Sequence, residues 1–191
     1  MKYIPATACF LWLLSACASH QADHFYILNV NPERSGEPRT PHATQAILKV
    51  ALPSIVDRPE MVLNTSSDGV AIFEHERWAV SLGDLVTQTL AQDIERRRTD
   101  LFIAGNSTQQ NEKNIIKVMV DVVQITLRQG SQASIETHWK IVDMRTGKEV
   151  VGADTFRAPL GKKGYAVIAQ ALSECIANLA DRLAEKIPVS A

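Results

Sequence analysis

Cysteine is scarce: three residues in a chain of 191. Cys9 lies inside an apolar leader, Cys17 ends that leader, and Cys175 sits far away in a helical pattern. With the leader removed and Cys17 modified, Cys175 stands alone. That excludes a disulfide framework and a zinc site built on paired cysteines, and it marks Cys175 as a small core residue. A surplus of either charge is also missing. With 20 basic and 21 acidic side chains and a formal net charge of −1, the chain offers no basic face of the size nucleic-acid binding demands. No serine stands in a G-x-S-x-G elbow, and no glycine-rich loop resembles a phosphate cradle. His75-Glu76-Arg77-Trp78-Ala79 begins like a zinc helix, but Ala79 occupies the place of the second histidine. Acidic residues are scattered singly, so no carboxylate pair stands out. The expectation is a protein that is not an enzyme, with no cofactor and no metal.

What is present begins with an ordinary globular balance: 46% apolar and 21% charged residues, enough chain for one domain with a packed core. Residues 1–16, "MKYIPATACFLWLLSA", carry one charged side chain, Lys2, and an apolar stretch strongest from Phe10 to Leu14. That stretch is roughly ten residues, too short for a bilayer that needs about 20, and it fits a signal peptide. Its end, Leu14-Ser15-Ala16-Cys17, resembles the bacterial lipobox: leucine, two small residues, and a cysteine whose sulfur takes a diacylglyceryl group. Cys17 is therefore the candidate lipid attachment site. One acyl chain binds a membrane only reversibly, at about 0.8 kcal/mol per buried methylene, whereas three chains hold for the life of the protein. Ala18 and Ser19 lack the aspartate that often retains lipoproteins at the inner membrane. The expected location is thus the periplasmic face of the outer membrane, with the inner membrane as the alternative. Residues 17–23 form a lipidated tether. Its six or so residues reach ~20 Å when extended, which keeps the domain of residues 24–191 close to the bilayer.

Periodicity divides that domain. Residues 24–30 ("HFYILNV") read as a buried strand, and 31–44, with Pro32, Gly36, Pro38 and Pro41, as a surface connection. Residues 46–53 form a second strand stopped by Pro53. Short strands follow at 61–64 and 70–73 around the turn signal Ser67-Asp68-Gly69. From Ser81 the period becomes helical: Leu82, Leu85, Val86, Leu90 and Ile94 share a face, Ser81 and Asp84 form a capping pair, and Arg96 to Arg98 end the helix as a solvated cationic run. Residues 115–128 are a strand whose apolar phase slips at Val122-Val123, the mark of a β-bulge. Turns at Gln129-Gly130 and Thr146-Gly147 lead into strands at 133–141 and 149–156, a meander. A helix of about 22 residues starts near Gly164, carries an apolar stripe from Tyr165 to Ile187, and ends at Pro188. The expected fold is α+β: an antiparallel sheet with two main helices packed on one face, a two-layer sandwich.

Two stretches stand apart from this regular pattern. In "LPSIVDRPEMV" (52–62), Pro53 and Pro59 bracket a stiff segment across which Asp57 and Arg58 are placed to pair. In "ERWAVSL" (76–82), Trp78 directly precedes the first helix, either as a hydrophobic staple beneath it or as a contact for a partner. Pro53, Asp57, Arg58, Pro59 and Trp78 are the candidate docking or staple residues.

Taken in order, the lipobox, "FYIL", "LPSIVDRPEMV", "ERWAVSL", "HWKIVD" and "GYAVIAQALSECIANLADRLA" resemble the ABC-type transport auxiliary lipoprotein family. These are lipoprotein partners of MCE-domain lipid-transport machines and of paraquat-inducible transport systems. Family members often carry proline where this chain has Ser81, and serine still caps a helix. The resemblance implies a non-enzymatic, membrane-anchored module that docks the periplasmic conduit at the outer membrane. Its partners would be an MCE-domain periplasmic protein and the associated inner-membrane ABC and permease subunits, with no role for nucleic acid. A homo-oligomer is compatible with that role. The alternative reading is a scaffold lipoprotein for outer-membrane or pilus assembly.

Overall fold

The computed structural model describes residues 22–30, 44–66, 68–104 and 115–189. The signal peptide, Cys17 and most of the tether, the connection at 31–43 and Ser67 fall outside them. Eight strands and two helices follow in the order β1 (His24–Tyr26), β2 (Thr44–Ala51), β3 (Glu60–Asn64), β4 (Val70–Trp78), α1 (Leu82–Arg97), β5 (Leu101–Ala104), β6 (Ile116–Arg128), β7 (Gln132–Asp143), β8 (Lys148–Pro159) and α2 (Tyr165–Lys186). They make a five-stranded sheet, β5-β2-β6-β7-β8, and a three-stranded sheet, β1-β4-β3. The fold is α+β, with α1 and α2 on one face of the larger sheet.

The meander β6-β7-β8 is antiparallel throughout. Its two turns need backbone that only glycine adopts freely: Gly130 has φ 69° and Gly147 has φ 72°. Alternation then does the sorting. Val118, Val120 and Val122 of β6 and Ile135, Trp139 and Ile141 of β7 face the helices and are buried. The β6-β7 register shifts between Val122 and Gln124, so Val123 is the extra residue and stands 44% exposed. Without that bulge Ile125 and Leu127 would point to solvent; with it they stay in the core.

The sheets are mixed rather than purely antiparallel. β2 pairs parallel with both β5 and β6, and β1 pairs parallel with β4. Parallel neighbours require a crossover, and α1 supplies the one between β2 and β5. Those partners lie 50 or more residues apart in sequence, so no turn signal announces them. β1 is also shorter than the expected 24–30. Beyond Tyr26 the chain leaves the ladder, Leu28 enters the core, and the Asn29 N–H donates to Ser173 Oγ of α2 at 3.0 Å.

Each helix buries a stripe. Leu82, Leu85, Val86, Leu90 and Ile94 of α1 pack against β2 and β5, and Ile168, Leu172, Ile176 and Leu179 of α2 pack against β7 and β8. Each such side chain contributes about 1.5–3 kcal/mol by leaving water. Ser81 caps α1: its Oγ accepts from the Asp84 N–H at 3.2 Å and donates to Asp84 Oδ2 at 2.8 Å. The arginines at the other end of α1 are not a solvated run. Arg97 donates to the carbonyls of Asp93 (2.6 Å) and Ala177 (2.8 Å) and pairs with Asp181 of α2. Arg98 grips Asp100 with two bonds of 2.8 Å and reaches the carbonyls of Ala184 (2.9 Å), Ile187 (2.7 Å) and Pro188 (3.3 Å). It thereby closes the C-terminus of α2, whose last carbonyls have no intrahelical donor.

Cys175 is wholly buried, with its thiol directed at the carbonyls of Ala133 (3.6 Å) and Phe156 (3.7 Å). Burial pushes its pKa up to about 12, which leaves it an unreactive core residue.

Candidate functional site

The loop between β2 and β3 is built on its own backbone. The Pro53 carbonyl accepts from the N–H groups of Val56 (3.0 Å) and Asp57 (3.1 Å), and Val56 tucks inward. The turn aims Asp57 at the start of α1, where Oδ1 accepts the Gly83 N–H at 2.9 Å. A carboxylate suits that helix end on two counts, an unpaired donor and the positive pole of the dipole. At the far end of the loop the Pro59 carbonyl accepts the Trp78 N–H at 2.6 Å. Pro53, Asp57, Pro59 and Trp78 thus meet around the junction of β4 and α1. Trp78 itself is 1% exposed and lies in the core.

Asp57 and Arg58 do not pair with each other. Arg58 Nε donates to Glu60 Oε2 at 2.9 Å, and Arg77 Nη1 lies 3.0 Å from Glu60 Oε1. The bond from Arg58 is the main reason the Glu60 carboxyl titrates below its ordinary range. Two guanidiniums thus share one carboxylate.

The first strand is tied to β4 by side chains as well as by the ladder. His24 Nδ1 lies 3.0 Å from Glu76 Oε1, Tyr26 donates its hydroxyl to Glu76 Oε2 at 2.6 Å, and His75 Nδ1 lies 2.9 Å from Asp23 Oδ1. Tyr26 and Phe73 both lean on the ring of Tyr165, with centroids 6.3 and 5.4 Å away. Burial, reinforced by the bond to Glu76, raises the Tyr26 pKa to about 12. His75 is thus a structural partner of the entering chain. Among the described residues no group of three or more His, Cys, Asp or Glu side chains is placed to hold a metal ion, and no helix is long and apolar enough to cross a membrane.

Reading residues one by one did not single out the helix-free face of the large sheet. The register sets Lys49, Met119, Lys140 and Val151 side by side across four strands, with Ala51, Asp121, His138 and Ala153 in the next row. All of these but Ala153 floor an apolar hollow of about 640 Å³, where Val151 stands 69% exposed. Farther along the same face Gln124, Arg128, Glu136 and Arg157 line a polar depression of about 430 Å³. Lone apolar residues on the polar face of a strand, Met119 and Val151, were the available signal. They fall in one row, with Lys140 between them, only once the register is known.

Two solved structures share the fold. One is of an uncharacterized protein: it is 17% identical, and the likeness covers 88% of this chain and 100% of that one with a TM-score of 0.73. The other is XCC0632 from Xanthomonas campestris, of the family DUF330: it is 15% identical, and the likeness covers 84% of this chain and 92% of that one with a TM-score of 0.65. At such identities the likeness speaks for the fold alone. Among proteins of curated function none matches this chain. A family model does match, over residues 26–184, from the last residue of β1 to the last turn of α2. On that match the chain belongs to the family described as the ABC-type transport auxiliary lipoprotein component.

Proposed function

We propose that this chain is the lipid-anchored, non-enzymatic auxiliary subunit of an ABC/MCE-type intermembrane lipid-transport system. It docks the periplasmic conduit at the outer membrane. The single observation that carries this reading is the family match over residues 26–184. The sequence before it adds the leash: a short apolar leader, the lipobox at Leu14 to Cys17, and a tether of about six residues. Cys17 is the proposed attachment site, and the absence of aspartate after it favours the outer membrane.

Within the domain, the helix-free sheet face is the proposed seat for the partner. A four-strand-wide surface on which the apolar side chains Met119 and Val151 alternate with Lys49 and Lys140 has the make-up of a mixed apolar and charged docking face. Ile55, 51% exposed in the loop from Pro53 to Pro59 beside the start of α1, is the proposed second contact. Trp78 then acts from below as a staple that fixes the loop's position.

The test is crosslinking in intact cells followed by purification of the lipidated chain. An MCE-domain protein is expected in the crosslinked product, and M119E or V151E is expected to remove it without lowering the amount of chain. Its consistent absence in cells that express the transport system would overturn the reading. In parallel, Cys17→Ala should abolish metabolic labelling with fatty acid; a normally labelled variant would refute the anchor.

A further inference from the structure

We infer that the outer face of the small sheet, where the chain enters the fold, rests directly on a phospholipid surface. The inference adds a membrane-facing side to the proposed function and rests on that reading's placement of a lipid at Cys17.

Alternation divides β1. His24 and Tyr26 point toward Glu76 and Tyr165, so Phe25 points the other way and is 62% exposed. Ile27 follows at 55% exposure. The Ala79 N–H donates to the Tyr26 carbonyl at 2.9 Å, which sets Val80, 47% exposed, close by. Three large apolar side chains in water at one place are a liability for a periplasmic domain unless something covers them.

What covers them is indicated by two further observations. Phe25 is in register with Arg77, and Arg77 and Arg58 share the one carboxylate of Glu60 at 3.0 and 2.9 Å. The apolar patch is therefore edged by two guanidiniums, the group that pairs with lipid phosphates, set among the carboxylates of Glu60 and Asp23. The chain also leaves the fold here. The residues between Cys17 and His24 span ~20 Å at most, so a lipid on Cys17 holds this side of the domain within reach of the headgroups. Apolar side chains at the acyl boundary with cations at the phosphates is the arrangement of interfacial membrane contacts. The helix-free sheet face, on the other sheet, is left free for a partner.

The experiment uses the full acylated chain in vesicles of phosphatidylethanolamine and phosphatidylglycerol that carry a shallow spin-labelled lipid. Phe25→Trp and Val151→Trp place a reporter indole on the two faces, while the native Trp78 and Trp139 stay buried. Emission from the F25W chain is expected to be quenched at least about threefold more than from the V151W chain, as interfacial burial requires. Adding R58Q and R77Q is expected to reduce that difference. A chain that floats with the vesicles but is quenched equally at both positions refutes the membrane face and leaves the anchor standing. A chain that carries no acyl group yet is still quenched at position 25 supports the patch and refutes the anchor. One that neither floats nor is quenched refutes both.

Discussion

A single methyl group at position 152 is expected to cost this fold about 2.5–6 kcal/mol, on the following geometry. Gly152 of β8 lies opposite Trp139 of β7, and the indole lies across it. A Cβ at Gly152 would stand 2.2 Å from Cζ2 and 2.6 Å from Cε2 of that ring. Carbons at rest are about 3.5–4 Å apart, so the ring must retreat by about 1.5 Å. It is not free to do so. Its Nε1 donates to Asp154 Oδ2 at 2.8 Å, and Asp154 pairs with Arg182 of α2 at 3.4 Å. Forcing a large ring aside in a packed core costs about 1–3 kcal/mol. Losing a hydrogen bond to a carboxylate adds about 1.5–3 kcal/mol. Urea unfolding followed by tryptophan emission measures the sum for Gly152→Ala. The decisive comparison repeats it in a Trp139→Leu background, where the obstacle is gone and the same methyl should be close to neutral, because glycine is itself a weak strand residue. A cost below about 0.5 kcal/mol, or an equal cost in both backgrounds, would refute the argument.

Arg98→Ala should lower stability by about 2–4 kcal/mol, since it strips the donor from three carbonyls at the end of α2 as well as from Asp100; thermal unfolding with and without the substitution reads this. Asp57→Ala should cost about 1–2 kcal/mol by uncapping Gly83, and hydrogen exchange should show the first turn of α1 opening while the centre of β7 keeps its protection. Acid should act through Asp143, Asp100 and Glu60, each held below its ordinary pKa first of all by a bond from Arg145, Arg98 or Arg58. The folded chain binds fewer protons there than the unfolded one. The stabilisation is therefore complete above the unfolded values near 4 and is lost as pH falls through the lower folded ones, which denaturant midpoints between about pH 6 and 2 would reveal. Arg98→Ala should flatten part of that dependence by releasing Asp100.

The elements whose pattern is local were legible in the residues. The period of 3.6 from Leu82 to Ile94 and from Tyr165 to Ile187 marks the helices, and the phase slip at Val122-Val123 marks the bulge, because each is written within one run of chain. β5 was missed: four residues, Leu101 to Ala104, have too few alternations to stand out, and the strand exists because the edge of β2 receives it. The parallel pairings were hidden for the same reason, being settled by α1 crossing over rather than by a turn. Arg97 and Arg98 read as surface charge because nothing near them in sequence shows that the carbonyls of α2 lie waiting some 80 to 90 positions away. The loop from Pro53 to Pro59 was visible as a punctuated stretch, yet the pairing of Arg58 was assigned to its neighbour Asp57 when the geometry gives it to Glu60.

The three-residue strand at the head of the fold has a mechanical consequence. If the chain is moored at its amino end, every tug between bilayer and partner passes through His24, Phe25 and Tyr26. β1 runs alongside β4, and Asp23, His24 and Tyr26 each add a side-chain fastening to the rungs of the ladder. A pull along the strand axis loads these links together, in shear, while Leu28 and the bond from Asn29 to Ser173 act as a second catch behind them. The mooring line is thus spliced into the hull and not tied to a loose end, and a sudden strain meets several fibres at once.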